Sequence, residues 1–263
     1  MPHSRFPDLD VRVLVSIGLH PSSQRARRAE TDARAVELGL NLQPGILEVL
    51  HAGNPYDATL RSYAGMGLES LRVIEQREQD DALESLLHYL AADVPDVILT
   101  GVRAERGESS GMMPYLLAEH LGCTVVSGIT EILSIEKGVA EVLQAQPRGQ
   151  RRKLKVPLPF IASVDMAAKE PRQSAFGPGQ RAQIDHSMTE ASITDAQQAE
   201  WQVSPARNRP KRLKVVKAKS AADRLKAATQ KSSGDEGKVL RDLPAKEMAQ
   251  AVFDLLLEEG VVR

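Results

Sequence analysis

Residues 95–100 read PDVILT, the loop at residues 101–111 reads GVRAERGESSG, and an apolar stretch follows as far as Leu121. The first segment predicts a buried β-strand, because a short apolar run lies between a proline and a glycine. The stretch from about Gly111 to Leu121 predicts a helix. A strand, a loop and a helix in this order are typical of the crossover units of a parallel sheet.

The same alternation extends over the first two thirds of the chain. Further strands are predicted at residues 11–17, 46–51, 71–75 and 124–127. Helices are predicted at residues 24–40 and 56–65, and one that begins within residues 80–84 carries a leucine stripe from Leu83 to Leu90. This order predicts an α/β fold, a mostly parallel sheet with helices on both faces. Ligands of such sheets bind beyond the carboxyl ends of the strands, which are residues 16–20, 52–55 and 101–111 here.

The pattern changes after residue 128. Residues 129–135 and 139–143, joined by the turn Glu136-Lys137-Gly138, predict a β-hairpin to which residues 152–156 could add a strand. Residues 159–164 predict a buried strand, and Gly177-Pro178-Gly179 predicts a turn. We therefore divide the chain into an α/β domain at residues 1–182, a polar loop at residues 183–206 and a C-terminal arm at residues 207–263.

The C-terminal arm is predicted to dock on a partner. Residues 207–231 are dense in Arg and Lys, residues 232–237 have the composition of a flexible linker, and residues 243–260 predict an amphipathic helix. A basic run of this kind could bind nucleic acid, but no aromatic residue interleaves with it. A protein-docking arm is the preferred interpretation, with no nucleic acid as partner.

Composition excludes several classes of function. The net charge is −1, and aromatic residues make up only 3% of the chain, which disfavours a platform for single-stranded nucleic acid. No apolar run approaches the length that spans a bilayer, and no signal-peptide core is seen, so a soluble cytoplasmic protein is expected. The single cysteine, Cys123, and the scattered histidines predict no metal site. No Ser/His/Asp set can be proposed, so no autonomous catalytic site is expected.

The loop at residues 101–111 is the strongest candidate for ligand binding. It follows the clearest strand and carries Ser109-Ser110-Gly111 at the start of the next helix. Unpaired backbone N–H groups and the positive dipole end at a helix start can hold a phosphate. The structural alternative is an ordinary serine N-cap, and the residues alone leave both interpretations open.

Seven stretches together resemble the β subunit of an electron transfer flavoprotein. They lie in the family's order between residues 11 and 172, at residues 32–37 (DARAVE), 52–55 (AGNP), 63–69 (YAGMGLE), 95–101 (PDVILTG), 109–111 (SSG), 158–165 (LPFIASVD) and 169–172 (KEPR). No single stretch is specific to this family, whereas seven stretches in the family's order are specific. The resemblance implies a fold like that of the adenine-nucleotide α-hydrolases.

The resemblance also implies a heterodimer without a catalytic site in this chain. The partner α subunit would carry the redox-active FAD. In this chain the domain at residues 1–182 would be a nucleotide-binding domain that holds a structural AMP, and the polar loop at residues 183–206 would be a partner-recognition loop. Electrons would come from a flavin dehydrogenase and leave to a membrane quinone oxidoreductase. The implied AMP-site residues are Ser16, Asp32, Ala52, Arg106, Gly107, Glu108, Ser109, Ser110 and Gly111. Glu170 and Arg172 match a motif near the α-subunit interface.

Two other functions stay open at this point. One is a stand-alone adenine-nucleotide-binding module or sensor without a redox role. The other is a small-molecule enzyme that uses the same crevice.

Overall fold

The computed structural model describes residues 6–107, 109–189, 193–202, 204, 220–222, 225 and 243–258. The chain divides into two compact units, Met1–Trp201 and Gln202–Arg263. The predicted division after residues 182 and 206 concerns function rather than compactness, and it stays a prediction. Most of the basic run at 207–231 and all of the linker at 232–237 lie outside the described residues.

Nine strands form one sheet in the described part of the first unit. In chain order the strands are β1 Phe6–Leu14, β2 Ile17–Leu19, β3 Ala26–Arg28, β4 Pro44–Gly53, β5 Ser70–Glu75, β6 Val97–Gly101, β7 Thr124–Glu136, β8 Val139–Ala145, β9 Arg151–Pro157, β10 Phe160–Val164 and β11 Gln183–Met188. The sheet order is β11-β5-β4-β1-β6-β10-β7-β8-β9, while β2 and β3 form a separate two-stranded hairpin. The first seven strands in that order are parallel, and β8 and β9 extend the sheet antiparallel.

Helices cover both faces of this sheet, so the predicted fold class is confirmed. The helices are α1 Glu30–Leu42, α2 Leu60–Ala64, α3 Ala82–Ala92, α4 Met113–Leu121, α5 Phe176–Arg181, α6 Ala196–Ala199 and, in the second unit, α7 Ala245–Glu258. Apolar residues of α1 and α2 pack into one core cluster, and those of α3 and α4 pack into the other. Every residue of β6 and β10 is buried, because helices cover both faces of these central strands. Their mostly apolar sequences suit this position.

The topology creates a crevice beside β1. The chain first adds β4 and β5 on one side of β1 and then returns to place β6 on the other side. At this switch point the connections after β1 and β6 diverge to opposite faces of the sheet, which opens a crevice at the carboxyl ends of the strands.

The N-terminal elements differ from the prediction. The first strand ends at Leu14, and the first helix begins at Glu30 rather than near residue 24. The residues between them form the β2–β3 hairpin. Glu105, in the loop after β6, fixes this arrangement because its carboxylate accepts hydrogen bonds from Leu19 N (3.1 Å), Arg27 Nη2 (3.1 Å) and Glu30 N (3.0 Å).

The predicted hairpin at residues 129–143 is confirmed, but its first strand is longer than predicted. Thr124–Glu136 is one strand that bends at Gly128, where the pairing with β10 shifts register. Gly128 has φ +67°, a conformation that glycine adopts at little cost, and its N–H donates to Ser163 Oγ at 3.0 Å. β9 completes the antiparallel edge as expected.

Two predictions after β10 are wrong. Gly177-Pro178-Gly179 lies inside α5 rather than in a turn, because a proline is tolerated in the first turn of a helix. Gln183–Met188, assigned to a polar loop, is the edge strand β11 and pairs in parallel with β5. An exposed edge strand needs backbone partners but no apolar face. The polar sequence of β11 therefore gave no indication of a strand.

A buried ion pair joins α1 to the segment after β10. Glu37 is 2% exposed, and its carboxylate accepts hydrogen bonds from Arg172 N (3.1 Å), Nε (2.7 Å) and Nη2 (3.2 Å). Burial alone would raise the pKa of Glu37, but the hydrogen bonds from Arg172 lower that pKa to about 2. Because the pKa is lowered in the folded state, this contribution to stability is present above pH 4.5 and is lost as the pH falls toward 2.

We expect Glu37→Gln to lower the free energy of unfolding at pH 7 by about 2 kcal/mol, the range for lost hydrogen bonds to a charged group. Urea unfolding followed by circular dichroism measures the change. Glu30→Gln is the control on the same helix. The side chain of Glu30 is 41% exposed and forms an i,i+4 ion pair with Arg34. Such a pair contributes less than about 0.5 kcal/mol to stability. Equal effects of the two substitutions would contradict this role of Glu37.

Candidate functional site

The crevice at the switch point is a cavity of about 750 Å³. This size is within the range of pockets that enclose small ligands. Its walls come from the ends of β1, β4 and β6, from the corner between β5 and α3, and from the loop that leads into α4. The cavity therefore lies where the sequence places a ligand.

The structure brings most of the predicted nucleotide-site residues to this cavity. Seven of them line it, namely Ser16, Asp32, Ala52, Arg106, Gly107, Ser110 and Gly111. Ser109 instead lines a smaller neighbouring pocket beside the β2–β3 hairpin, together with Leu19 and Arg27. Glu108 lies outside the described residues. Of the predicted interface residues, Glu170 is exposed, and Arg172 is bound to Glu37.

Asp32 is the central polar group of the cavity. It lies in the first turn of α1, is 4% exposed, and accepts hydrogen bonds at Oδ2 from Ser16 N (2.7 Å) and Ser16 Oγ (2.6 Å). A Cβ at Gly101 would overlap Asp32 Oδ1, so only glycine permits this approach of β6 to the carboxylate. Burial raises the pKa of Asp32 to about 6, although the hydrogen bonds from Ser16 oppose the rise.

Tyr63 stabilises the region where β1 ends and α1 begins. Its ring is fully buried, its hydroxyl accepts a hydrogen bond from Ala29 N at 2.7 Å, and it donates to Ser16 O at 2.8 Å. Burial raises the pKa of Tyr63 well above its ordinary value. The hydroxyl thus joins the end of β1 to the start of α1. The sequence offered one signal for this role, a tyrosine in a core that is otherwise mainly aliphatic.

His51 is a cavity residue that the sequence did not single out. It is 7% exposed at the end of β4, and its Nδ1 lies 2.9 Å from Val15 O. Burial lowers the pKa of His51, so the ring is neutral at pH 7. Because a carbonyl can only accept, Nδ1 carries the proton and Nε2 is an acceptor. The sequence contained one signal for this residue, because His51 is the last residue of a predicted strand and ligands bind beyond the strand ends.

The loop after β6 presents backbone groups to the cavity. The helix α4 begins at Met113 rather than Gly111, its N-cap residue Met112 makes no side-chain cap, and Ser110 Oγ accepts from Met112 N at 3.1 Å. The alternative interpretation, a serine at the N-cap position, does not hold, because Met112 occupies that position. Gly111 has φ +79°, and a Cβ there would lie 2.7 Å from Val102 O. At the start of α4, Pro114 has no N–H and the N–H groups of Met112 and Tyr115 already have acceptors, so the positive end of the helix dipole is the main feature there that favours an anion.

Arginines and carboxylates share the rim of the cavity. Arg106 forms an ion pair with Glu78, and Arg77 pairs with Asp80 at 3.0 Å. Within the described residues, no group of three His, Cys, Asp or Glu side chains could hold a metal ion. In the same part of the chain, no helix combines the length and the apolar character needed to cross a membrane. Apolar side chains and charged groups of both signs line the cavity together.

Comparisons with known proteins agree with the resemblance in the sequence. The family model for the electron transfer flavoprotein domain matches residues 21–205. A protein of Chromohalobacter salexigens, electron transfer flavoprotein subunit beta, is 52% identical over 260 residues, which are 98% of this chain and 97% of that protein. The similarity spans every described residue that lines the cavity.

We expect Asp32→Asn to flatten the pH dependence of stability. The folded-state pKa of about 6 exceeds the ordinary value of 3.8, so the folded protein binds this proton more tightly than the unfolded chain does. The favourable contribution is complete below pH 3.8 and is lost as the pH rises through 6, a change of about 3 kcal/mol.

Urea unfolding of the full-length chain between pH 4 and pH 7.5 measures this effect. The difference in unfolding free energy between Asp32→Asn and the wild type should grow in favour of the variant as the pH rises. Parallel pH profiles for the two proteins would show that Asp32 does not titrate in this range.

Proposed function

The chain belongs to the electron transfer flavoprotein family, as a β subunit, and on that premise we propose that it binds AMP in the switch-point cavity and assembles with an FAD-bearing α subunit. The chain would serve as an electron-carrier subunit without a catalytic site of its own. FAD in the partner would supply the redox chemistry. A cytoplasmic location stays a prediction from the sequence.

The observation that carries the AMP proposal is the pairing of an anion site with an apolar wall in one cavity. The positive dipole end of α4 and the side chain of Arg106 suit a phosphate. Leu83 and Leu86 of α3 and Met113 and Leu116 of α4 also line the cavity, and their apolar side chains suit a purine ring. A volume of about 750 Å³ is ample for a mononucleotide.

The proposed partner surfaces are two segments that do not belong to the cavity lining. In α7 the apolar side chains of Val252, Phe253, Leu255 and Leu257 are 44–55% exposed. A helix whose apolar face is exposed is typical of a segment that docks in a groove of another protein. We propose that α7 and the exposed Glu170 contact the α subunit. A flavin dehydrogenase would deliver electrons to the complex, and a membrane quinone oxidoreductase would accept them.

A stand-alone nucleotide-binding module is the second candidate. It is favoured by the fact that the residues of one chain suffice to form a cavity of about 750 Å³. Co-expression with the α subunit separates the two functions. A yellow complex supports the electron carrier, and a colourless monomer that binds AMP supports the module.

We expect Gly111→Glu to abolish AMP binding in the purified complex while FAD is retained. The carboxylate would face the phosphate site, and the new Cβ would press on Val102 O. Chromatography of the nucleotides released on denaturation should give about one AMP per FAD for the wild type and less than one tenth of that for the variant.

Gly122→Glu is the matched control. Gly122 also has a positive φ, +65°, but it lies at the other end of α4, and nothing lies within 4 Å of its Cβ position. This control should keep its AMP. Full AMP content in Gly111→Glu, or equal loss in both variants, would refute the phosphate site.

We expect deletion of residues 207–263 to weaken the heterodimer at least tenfold while the first unit stays folded. The deletion removes the exposed apolar face of α7 and leaves the nine-stranded sheet intact. Size-exclusion titration against the α subunit measures affinity, and circular dichroism reports the fold. Affinity equal to that of the full chain would contradict the docking role.

A further inference from the structure

One wall of the cavity comes from a segment that no sequence motif pointed to. Residues 193–198, called the strap below, contribute Asp195 and Gln198 to the cavity lining. The segment follows the edge strand β11 and ends within α6. More than 70 residues of sequence separate it from the other residues that line the cavity, which end at Leu116.

The strap is docked on the corner between β5 and α3 by backbone hydrogen bonds. Asp81 N donates to Ile193 O at 2.8 Å, and Asp195 N donates to Gln79 O at 2.9 Å. Between them, Asp80 and Thr194 form an antiparallel bridge. These contacts have the regular geometry of a short ladder.

Side chains strengthen this docking at its centre. The side chain of Asp80 is 1% exposed and receives hydrogen bonds from Arg77 N (3.1 Å), Arg77 Nε (3.1 Å) and Arg77 Nη2 (3.0 Å). Thr194 Oγ1 donates to Asp80 Oδ1 at 3.2 Å and accepts from Arg77 Nη2 at 3.2 Å. The strap thus completes a hydrogen-bond network around a buried carboxylate.

The corner that holds the strap is itself part of the cavity wall. Arg77, Glu78, Asp80 and Asp81 all line the cavity. Glu78 also pairs with Arg106 from the loop before α4. The strap and the corner therefore form one side of the cavity, joined at Glu78 to the side that carries the anion site.

Gln198 is the strap residue best placed to touch a ligand. Asp195 Oδ1 accepts from Gln197 N (2.9 Å) and Gln198 N (3.1 Å), so the turn that carries both glutamines is capped. Gln198 is half-buried and lines the cavity, whereas Gln197 is exposed and does not. A glutamine amide can both donate and accept hydrogen bonds, as the polar edges of a nucleotide require.

We propose that the strap is part of the nucleotide site: Gln198 hydrogen-bonds the bound nucleoside monophosphate, and the nucleotide holds the strap against the corner. This inference rests on the proposed function and deepens it, because it adds a specific contact from a distant part of the chain. A nucleotide that contacts the docked strap and not the released one stabilises the docked state by linkage.

The test compares Gln198→Ala with Gln197→Ala in the complete heterodimer. After removal of bound nucleotide, AMP is titrated by isothermal calorimetry. Loss of one hydrogen bond to an uncharged group raises the Kd about fivefold. We expect that increase for Gln198→Ala and a change of less than twofold for Gln197→Ala, its exposed neighbour on the same turn.

A second variant separates the contact from its support. Thr194→Val removes both side-chain hydrogen bonds to the corner without touching the cavity, so it should also weaken AMP binding. Hydrogen exchange of the peptide at residues 193–201 should slow when AMP binds to the wild type, and this protection should be reduced in Thr194→Val and Gln198→Ala.

The outcomes distinguish this inference from the proposed function. If the wild-type complex binds AMP and Gln198→Ala binds it equally well, with unchanged exchange in residues 193–201, the strap is not part of the site. If the wild-type complex binds no AMP, the proposed function itself fails.

Discussion

The carboxylate of Asp32, buried where β1, α1 and β6 meet, constrains the rest of the architecture. A buried carboxylate is costly unless donors surround it, and Ser16 supplies two of them. Gly101 lets β6 approach because it has no side chain. Glu105 and Tyr63 then bind the backbone at the start of α1. This one group thereby determines where β1 ends, where α1 begins and where the loop after β6 must leave the sheet.

Most of the sheet could be predicted from the sequence, because its strands are apolar runs with sharp boundaries. β6 and the β7–β8 hairpin are clear examples. The missed elements depend on distant partners. The β2–β3 hairpin is held by Glu105, and β11 is a strand only because β5 offers it backbone groups. The cavity was predictable for the same reason as the sheet, since the ends of buried strands indicate its position, whereas residues 193–198 reach it through contacts that leave no local pattern.

The two arginine pairs at the rim of the cavity have different consequences. Arg77 forms an ion pair with Asp80, whose side chain is 1% exposed. Separating the two side chains would leave a buried carboxylate unpaired. Arg106 pairs with Glu78, and the two side chains are 51% and 79% exposed, so exchange of Glu78 for another anion costs little. Arg106 is therefore available to a phosphate, while Arg77 maintains the wall. The cavity thus has a fixed side, held by the ion pair of the buried Asp80, and an adjustable side, where an anion can replace Glu78 beside Arg106.

This asymmetry connects the nucleotide to residues far along the chain. The fixed side, built on Asp80 and Arg77, is the one that residues 193–198 bind through Thr194. Thermodynamic coupling is reciprocal, so a nucleotide that favours the docked segment must bind more tightly whenever that segment is held in place by other means.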